Sequence, residues 1–339
     1  MAKEIIKAYS SPKDLIFDPF AGSGTVALES LISGRAVICT DINPYAVTLT
    51  QAKLSAPRTL EEAQTKAGCM LDSALKQTHP SIIGVPEWVK SFFHPQTLEE
   101  ILKFTTVVKK NNDKFLMACL LGILHHQRPG FLSYPSSHLV PYLRSKKFPK
   151  DKLPELYGHR SLKPRLMAKI ERIYKRPANF DLSLSRQCHR IDVRNFLLNP
   201  DCIDAIITSP PYMDALDYAR DNRLRLWFLG VDNYRQCDEK FGSLNSFSEL
   251  MTSFLVNASH WLRQDAYCVF VVGEVSRRNK SFDIARMIAN IATEKVGCFS
   301  LDSIVTDEIP DVRRSRKGSY VKTESIVAMR KRKNANNIG

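Results

Sequence analysis

Short apolar runs alternate with helical stretches in two parts of the chain, and the part between them keeps its apolar residues at helical spacing instead. In the first part a short helix (Lys3 to Tyr9) leads into the strand Leu15-Ile16-Phe17 and a glycine turn. A helix from Thr25 to Ile32 follows, stopped by Gly34, then a strand from Ala36 to Thr40 and a helix from Pro44 to Leu54. The second part begins near Arg190. It gives a strand from Ala205 to Thr208, a helix around Phe247 to Leu262, a strand from Ala266 to Val272, a helix from Phe282 to Ile291, a strand around Ser300 to Val305 and a last strand from Glu324 to Met329. Strands and helices taken in turn predict an α/β fold with a mainly parallel sheet, covered by helices. The intervening residues, from Leu98 to Leu124 above all, carry Leu and Ile at helical spacing and then turn rich in Pro, Lys and Arg. The pattern therefore predicts one sheet domain built from 1–57 and 188–333, interrupted by a mainly helical, basic insert over 58–187.

Composition bounds this picture. At 339 residues, 44% hydrophobic and 25% charged, the chain has the make-up of a globular protein with one large domain or two smaller ones, which excludes disorder as its main state. No apolar run approaches the roughly 18–20 residues of a membrane span. Met1 to Tyr9 holds two lysines and a glutamate where a signal peptide would have an apolar core, so the expectation is a soluble, intracellular protein. The 8 cysteines are scattered without a Cys-x-x-Cys pair and are expected to be reduced thiols. His125, His126 and His138 have no carboxylate or cysteine at ligand spacing, so no metal site is expected.

Charge adds a location. The formal net charge of +14 points to a polyanionic partner. Tyr142 to Arg190 holds 14 Lys or Arg against 4 Asp or Glu, a local net of +10, inside or beside the insert.

The chemistry concentrates in two motifs. Asp18-Pro19-Phe20-Ala21-Gly22-Ser23-Gly24-Thr25 follows a strand and opens a helix, and Gly22-x-Gly24-x-x-Ala27 fits a dinucleotide-binding fingerprint. Glycines there allow a tight turn and let a ligand approach the backbone and the helix amides. Asp41, at the end of the next strand, stands where a carboxylate accepts from ribose hydroxyls. These residues alone suit NAD, FAD or S-adenosylmethionine, or a glycine turn with no ligand. The second motif ends the hydrophobic strand before Ser209-Pro210-Pro211-Tyr212. Two successive prolines fix two φ angles and leave the neighbouring carbonyls as acceptors, and Tyr212 offers either a flat face to a base or a packed core ring.

Together the two motifs resemble those of the DNA amino-methyltransferases, which methylate the exocyclic nitrogen of cytosine or adenine. The resemblance covers about residues 3–56 and 188–330, with the target-recognition domain of one group of the family lying between the motifs, as the insert does here. It implies a Rossmann-like class I methyltransferase sheet and S-adenosylmethionine as cofactor. Asp18, Phe20, Ala21, Gly22, Gly24 and Thr25 would line that cofactor's site, Asp41 would hold its ribose, and Asp192 would stand at its adenine. From the residues alone, Asp192 is equally a helix cap or turn residue. The family's motif ahead of the cofactor strand is missing or shortened. Either the start is truncated, or residues such as Lys7 serve the methionine part differently.

The same resemblance implies that the Ser209 side chain and the Pro210 carbonyl accept the two hydrogens of the target amine, with Pro211 stiffening the tip and Tyr212 stacking on a base flipped from duplex DNA. Serine at the first position leans to N4 of cytosine over N6 of adenine. Asp217, Tyr218 and Arg223 follow closely enough to reach the flipped base or a phosphate, or else form an ordinary amphipathic helix. In the basic run Arg144, Lys146, Lys147, Arg160, Lys163 and Arg165 are expected to contact DNA, with Arg223. The resulting expectation is a bacterial, cytoplasmic, nucleoid-associated and sequence-specific cytosine-N4 methyltransferase of duplex DNA in a restriction–modification setting, its cognate endonuclease acting separately. An adenine-N6 enzyme, an RNA methyltransferase and a non-catalytic DNA-binding subunit are the competing readings.

Overall fold

A computed structural model of the chain describes residues 1–77, 82–126, 130–137, 141–211, 218–237, 243–273, 275–277, 280–308 and 323–332. In chain order the elements are α1 (Ala2–Tyr9), β1 (Leu15–Asp18), α2 (Thr25–Ile32), β2 (Ala36–Asp41), α3 (Pro44–Leu54), α4 (Leu60–Leu75), α5 (Glu87–Lys90), α6 (Pro95–Lys110), α7 (Lys114–Leu121), α8 (Leu162–Tyr174), β3 (Arg186–Arg190), β4 (Ile203–Thr208), α9 (Tyr218–Asp221), α10 (Arg223–Phe228), α11 (Leu244–Trp261), β5 (Leu262–Gly273), β6 (Val275–Arg277), β7 (Lys280–Phe282), α12 (Ile284–Asn290), β8 (Phe299–Glu308) and β9 (Thr323–Lys331).

Seven strands form one sheet in the order β3-β2-β1-β4-β5-β9-β8, and β6 and β7 pair separately. Neighbours from β3 through β5 run parallel, while β9 runs antiparallel to both β5 and β8. A parallel sheet with one reversed strand slipped in beside the last is the Rossmann-like class I methyltransferase sheet. The reversal point lies between β1 and β4, where the chain first builds outward through β2 and β3 and then returns to the other side. Crevices at such points open at the carboxyl ends of the strands, and ligands of open α/β sheets bind there.

The chain divides into two compact units: Met1–Thr50, Phe180–Asp217 and Asp238–Gly339 form the first, Gln51–Asn179 and Tyr218–Cys237 the second. The first is the sheet unit. Its strands read as near-continuous apolar runs because both faces are covered: Ile16, Phe17, Ala205, Ile206, Cys268, Val269 and Phe270 are buried. On one face α11 and α12 press Phe254, Trp261 and Ile288 against Phe17, Phe270 and Met329. Ser243 caps α11 by accepting from the Ser246 amide, and Asp283 caps α12 by accepting from Arg286.

The second unit is helical. Apolar stripes at helical spacing meet in its core: Ala63, Ala67 and Leu71 of α4, Leu98, Ile101, Phe104 and Val108 of α6, Leu116 and Leu120 of α7, and Leu162, Leu166 and Ile170 of α8. Thr59 caps α4 and Asp113 caps α7, and the Asp113 carboxylate also meets Lys66 at 2.5 Å. The unit takes in Tyr218–Cys237, which sequence patterning assigns to the sheet domain. The physical reason is in α10. Phe228 packs edge-on against Phe93 at 6.1 Å, Arg225 donates to the Leu121 carbonyl, and Leu224 and Leu226 are fully buried.

Candidate functional site

The sheet unit brings the two motifs together. In the parallel register Ile16 stands beside Ala205 and Phe17 beside Ile206, so the ends of β1 and β4 finish side by side. The glycine turn leaves one and Ser209-Pro210-Pro211 leaves the other. The two ends are also bonded through side chains, for Thr208 Oγ1 donates to Asp18 Oδ1 at 2.7 Å. Thr208 is the residue of this site that sequence reading passes over; its only signal is a hydroxyl at the end of an apolar strand.

Asp18 is buried and accepts from the Phe20 amide as well. Burial pushes its carboxyl up from 3.8 to about 7, against the downward pull of the Thr208 and Phe20 bonds and with a further upward push from Asp41. The same row continues across β2 and β3. Cys39 is in register with Asp18 and Cys188 with Cys39; both thiols are buried and raised by that burial, Cys188 to about 12. They are neutral at physiological pH and silent as nucleophiles.

The turn itself depends on its glycines. Gly22 and Gly24 have φ of 51° and 74°, the left-handed region that glycine enters without strain. Gly24 has a second reason: a Cβ there would lie 2.6 Å from Thr50 Oγ1 and 2.9 Å from Thr50 Cα on α3. The turn closes through Gly24 N–H to Ala21 O at 2.7 Å and is tied to β2 through Ala21 N–H to Thr40 O at 2.9 Å. Phe20 rests its ring against Phe254 at 5.8 Å, Ala21 is buried, and Thr25 is exposed with its hydroxyl 3.3 Å from that of Ser23.

Asp41 ends β2 and faces this turn. Its Oδ2 accepts from the Gly22 amide at 2.9 Å and its Oδ1 from the Asn43 amide at 2.8 Å. Two backbone donors thus fix the orientation of a half-buried carboxylate at the mouth of a turn whose outer residues, Gly22 and Ser23, are exposed. An adenosine-bearing ligand fits this arrangement. The backbone is reachable at Gly22, where an added Cβ would meet nothing nearer than 3.9 Å, and a carboxylate offers about four acceptor positions to hydroxyl groups.

Asp192 lies just past the end of β3. It caps the short turn Val193–Asn195, accepting from the Arg194 amide, and its carboxylate pairs with the Arg194 guanidinium at 2.5 Å. That guanidinium holds its pKa below the usual carboxylate value. The carboxylate thus makes the contact that the cap reading expects.

At the second motif, Ser209 is half-buried, Pro210 buried and Pro211 half-buried. Tyr212, Asp217 and His138 lie outside the described residues, as do the basic residues from Arg313 to Lys317. Among the described residues no group of three His, Cys, Asp or Glu side chains could hold a metal ion, and no helix is long and apolar enough to cross a membrane.

The basic run separates into two populations. Lys146, Lys147 and Lys163 are exposed, together with Lys150, Lys152, Arg172, Lys175 and Arg176. Arg160 is buried, its guanidinium donating to the carbonyls of Phe131, Ser133 and Leu156. From that buried position it ties these loops together. Arg165 is half-buried and donates to Ser161 O at 3.1 Å; Arg144 is half-buried too. Arg223 also turns inward, its guanidinium 5.1 Å from the Trp88 ring centre and donating to Pro141 O at 3.0 Å. These contacts anchor α10 within the helical unit.

One family model covers the first motif. The family model for N6- and N4-methyltransferases, described as DNA methylase, matches residues 1–52, a span that holds the glycine turn and Asp41. No curated protein matches the chain. Among solved structures, TrmN from Thermus thermophilus is similar at 11% identity and a TM-score of 0.37, over 97% of this chain and 48% of that one. This chain therefore spans about half the length of TrmN. An S-adenosylmethionine-dependent methyltransferase from Methanosarcina mazei is similar at 10% identity and a TM-score of 0.38, over 97% of this chain and 98% of that one. A TehB-like methyltransferase from Corynebacterium glutamicum is similar at 11% identity and a TM-score of 0.36, over 98% and 87% of the two chains. The fold class rests on the strand order itself.

Proposed function

We propose that the protein is an S-adenosylmethionine-dependent methyltransferase acting on the exocyclic amine of a base in duplex DNA, at N4 of cytosine. The observation that carries this reading is the meeting of the two motifs: the glycine turn after β1 and the Ser209-Pro210-Pro211 tip after β4 leave adjacent strand ends at the sheet's reversal point. The match of residues 1–52 to the DNA methylase model supports the substrate class.

In this reading Gly22 and Gly24 admit the cofactor to the backbone, Asp41 accepts from its ribose hydroxyls, and Phe20 covers one side. When bound there, S-adenosylmethionine supplies an electrophilic methyl group. An aromatic amine is a poor nucleophile because its lone pair is delocalised into the ring. The Ser209 hydroxyl and the Pro210 carbonyl accept its two hydrogens, which favours a tetrahedral nitrogen with its lone pair free. Proline in succession keeps those acceptors fixed, so little reorganisation is needed at the moment of reaction. Extruding the base costs a few kcal/mol, and stacking on Tyr212, at about 1–3 kcal/mol, offsets much of it. Serine rather than a carboxylate or carboxamide at position 209 supports cytosine over adenine.

The exposed lysines and arginines of the helical unit, Lys146, Lys147, Lys163, Lys175 and Arg176 among them, supply sequence-independent affinity for phosphates. A restriction–modification setting, a separately acting endonuclease and a bacterial cytoplasm belong to the same proposal. Labelled methyl transfer to duplex DNA but not to tRNA is the test, and the reverse preference would overturn the substrate class.

A further inference from the structure

Asp18 is grouped by sequence with the cofactor residues, yet its surroundings point to a different task. Its carboxyl is buried to 2% exposure, and it looks towards β4 rather than out of the turn. Thr208, its partner, is 1% exposed and is the last residue of β4, immediately before Ser209. The bond joins side chains 190 positions apart in sequence and crosses the seam between the two halves of the sheet. Backbone pairing between β1 and β4 has ended earlier, at Phe17 and Ile206, one residue before Asp18 and two before Thr208. Beyond that point the backbone ladder no longer fixes the tip to β1; the Asp18–Thr208 bond extends the tie to the residue next to Ser209.

We propose that Asp18 and Thr208 are positioning residues, holding the Ser209-Pro210-Pro211 tip in register with the glycine turn. The inference rests on the proposed methyl transfer and deepens it: the residue that starts the cofactor motif serves the amine-binding tip. A tip released from this tie would still be tethered by β4, but its acceptors would wander relative to the turn. Misplacement by about 1 Å is worth roughly 100-fold in rate. A bond that acts only by positioning the tip should therefore appear in turnover and not in cofactor affinity.

The experiment compares Thr208→Val, which keeps the shape and removes the donor, with Thr208→Ser, which keeps the donor. Methyl transfer to duplex DNA, calorimetric binding of S-adenosylmethionine, and hydrogen exchange of the peptide spanning the end of β4 are measured for each. Thr208→Val is expected to lower kcat by about 10- to 100-fold, to leave the cofactor Kd within about 2-fold, and to raise exchange at the end of β4. Thr208→Ser is expected to restore kcat to within about 3-fold of the parent and to restore protection. Unchanged kcat and exchange in Thr208→Val would reduce the bond to a packing contact and overturn the proposal. Loss of cofactor affinity in step with kcat would overturn it in favour of a cofactor-site role. If the parent protein itself transfers no methyl to DNA, the functional reading fails, while the exchange measurement still decides whether the bond holds the tip.

Discussion

Replacing Asp18 with Asn tests the electrostatics of the site without disturbing its shape. In the folded protein the carboxyl titrates near 7, against 3.8 for an ordinary Asp, because burial disfavours its charged form more than Thr208 and Phe20 favour it. The sign follows from linkage. Between these two values the folded state binds the proton and the unfolded state does not, so stability contributed by the neutral acid is fully present below about pH 3.8 and is lost as pH rises through about 7. At about 1.4 kcal/mol per unit, the rise from 3.8 to about 7 corresponds to about 4 kcal/mol of stability lost between pH 4 and pH 8. Asn does not titrate and still presents Oδ1 to the Thr208 hydroxyl and the Phe20 amide. Its amide nitrogen, placed where Oδ2 was, brings a cost that does not vary with pH. The difference in unfolding free energy between Asp18→Asn and the parent, measured by denaturant titration at about pH 4 and pH 8, should therefore shift in favour of Asn by up to about 4 kcal/mol at the higher pH. A difference that stays constant across that range, or that shifts the other way, would refute the buried-acid account of Asp18.

Other perturbations separate the roles assigned here. Gly24→Ala forces a methyl group against Thr50 at a φ of 74°; it should destabilise the sheet unit by about 1–3 kcal/mol and abolish cofactor binding, checked by thermal melting and calorimetry. Ser209→Ala should lower methyl transfer by at least about 10-fold while the cofactor Kd stays near the parent value, the mark of an interaction made with the reacting amine. Tyr212→Ala should likewise weaken turnover and spare cofactor binding; losing both together would count against stacking. Lys163→Gln and Lys175→Gln should each reduce the salt slope of duplex binding by about 0.9, whereas Arg160→Gln should lower the melting temperature instead, because it strips donors from buried carbonyls.

How much of this could be read from residues differs sharply between elements. β1, α2, β2 and α3 carry their boundaries in their composition: an apolar run, a glycine turn, a stop at Gly34 and a proline start, and the structure follows them to within a residue. The adjacency of the two motifs required the strand order, which only the paired register supplies. Tyr218–Cys237 looked like part of the sheet domain because it follows the catalytic motif in sequence; which surface its Leu224, Leu226 and Phe228 would bury was decided by the aromatic cluster at Phe93. Charge was the least legible feature. A guanidinium satisfies backbone carbonyls as readily as phosphates, so Arg160 and Arg223 are indistinguishable in sequence from Lys163 or Arg176 until their neighbours are known. The Asp18–Thr208 bond was equally illegible, since it joins side chains 190 positions apart in sequence.

Methyl transfer to the N4 amine of cytosine in duplex DNA can be read by incubating the purified protein with isotopically labelled S-adenosylmethionine and either duplex DNA or tRNA, digesting each to nucleosides and analysing them by mass spectrometry. The expected product is labelled N4-methylcytosine in the DNA. Labelled N6-methyladenine alone would contradict the target atom, and unlabelled DNA beside methylated RNA would contradict the substrate.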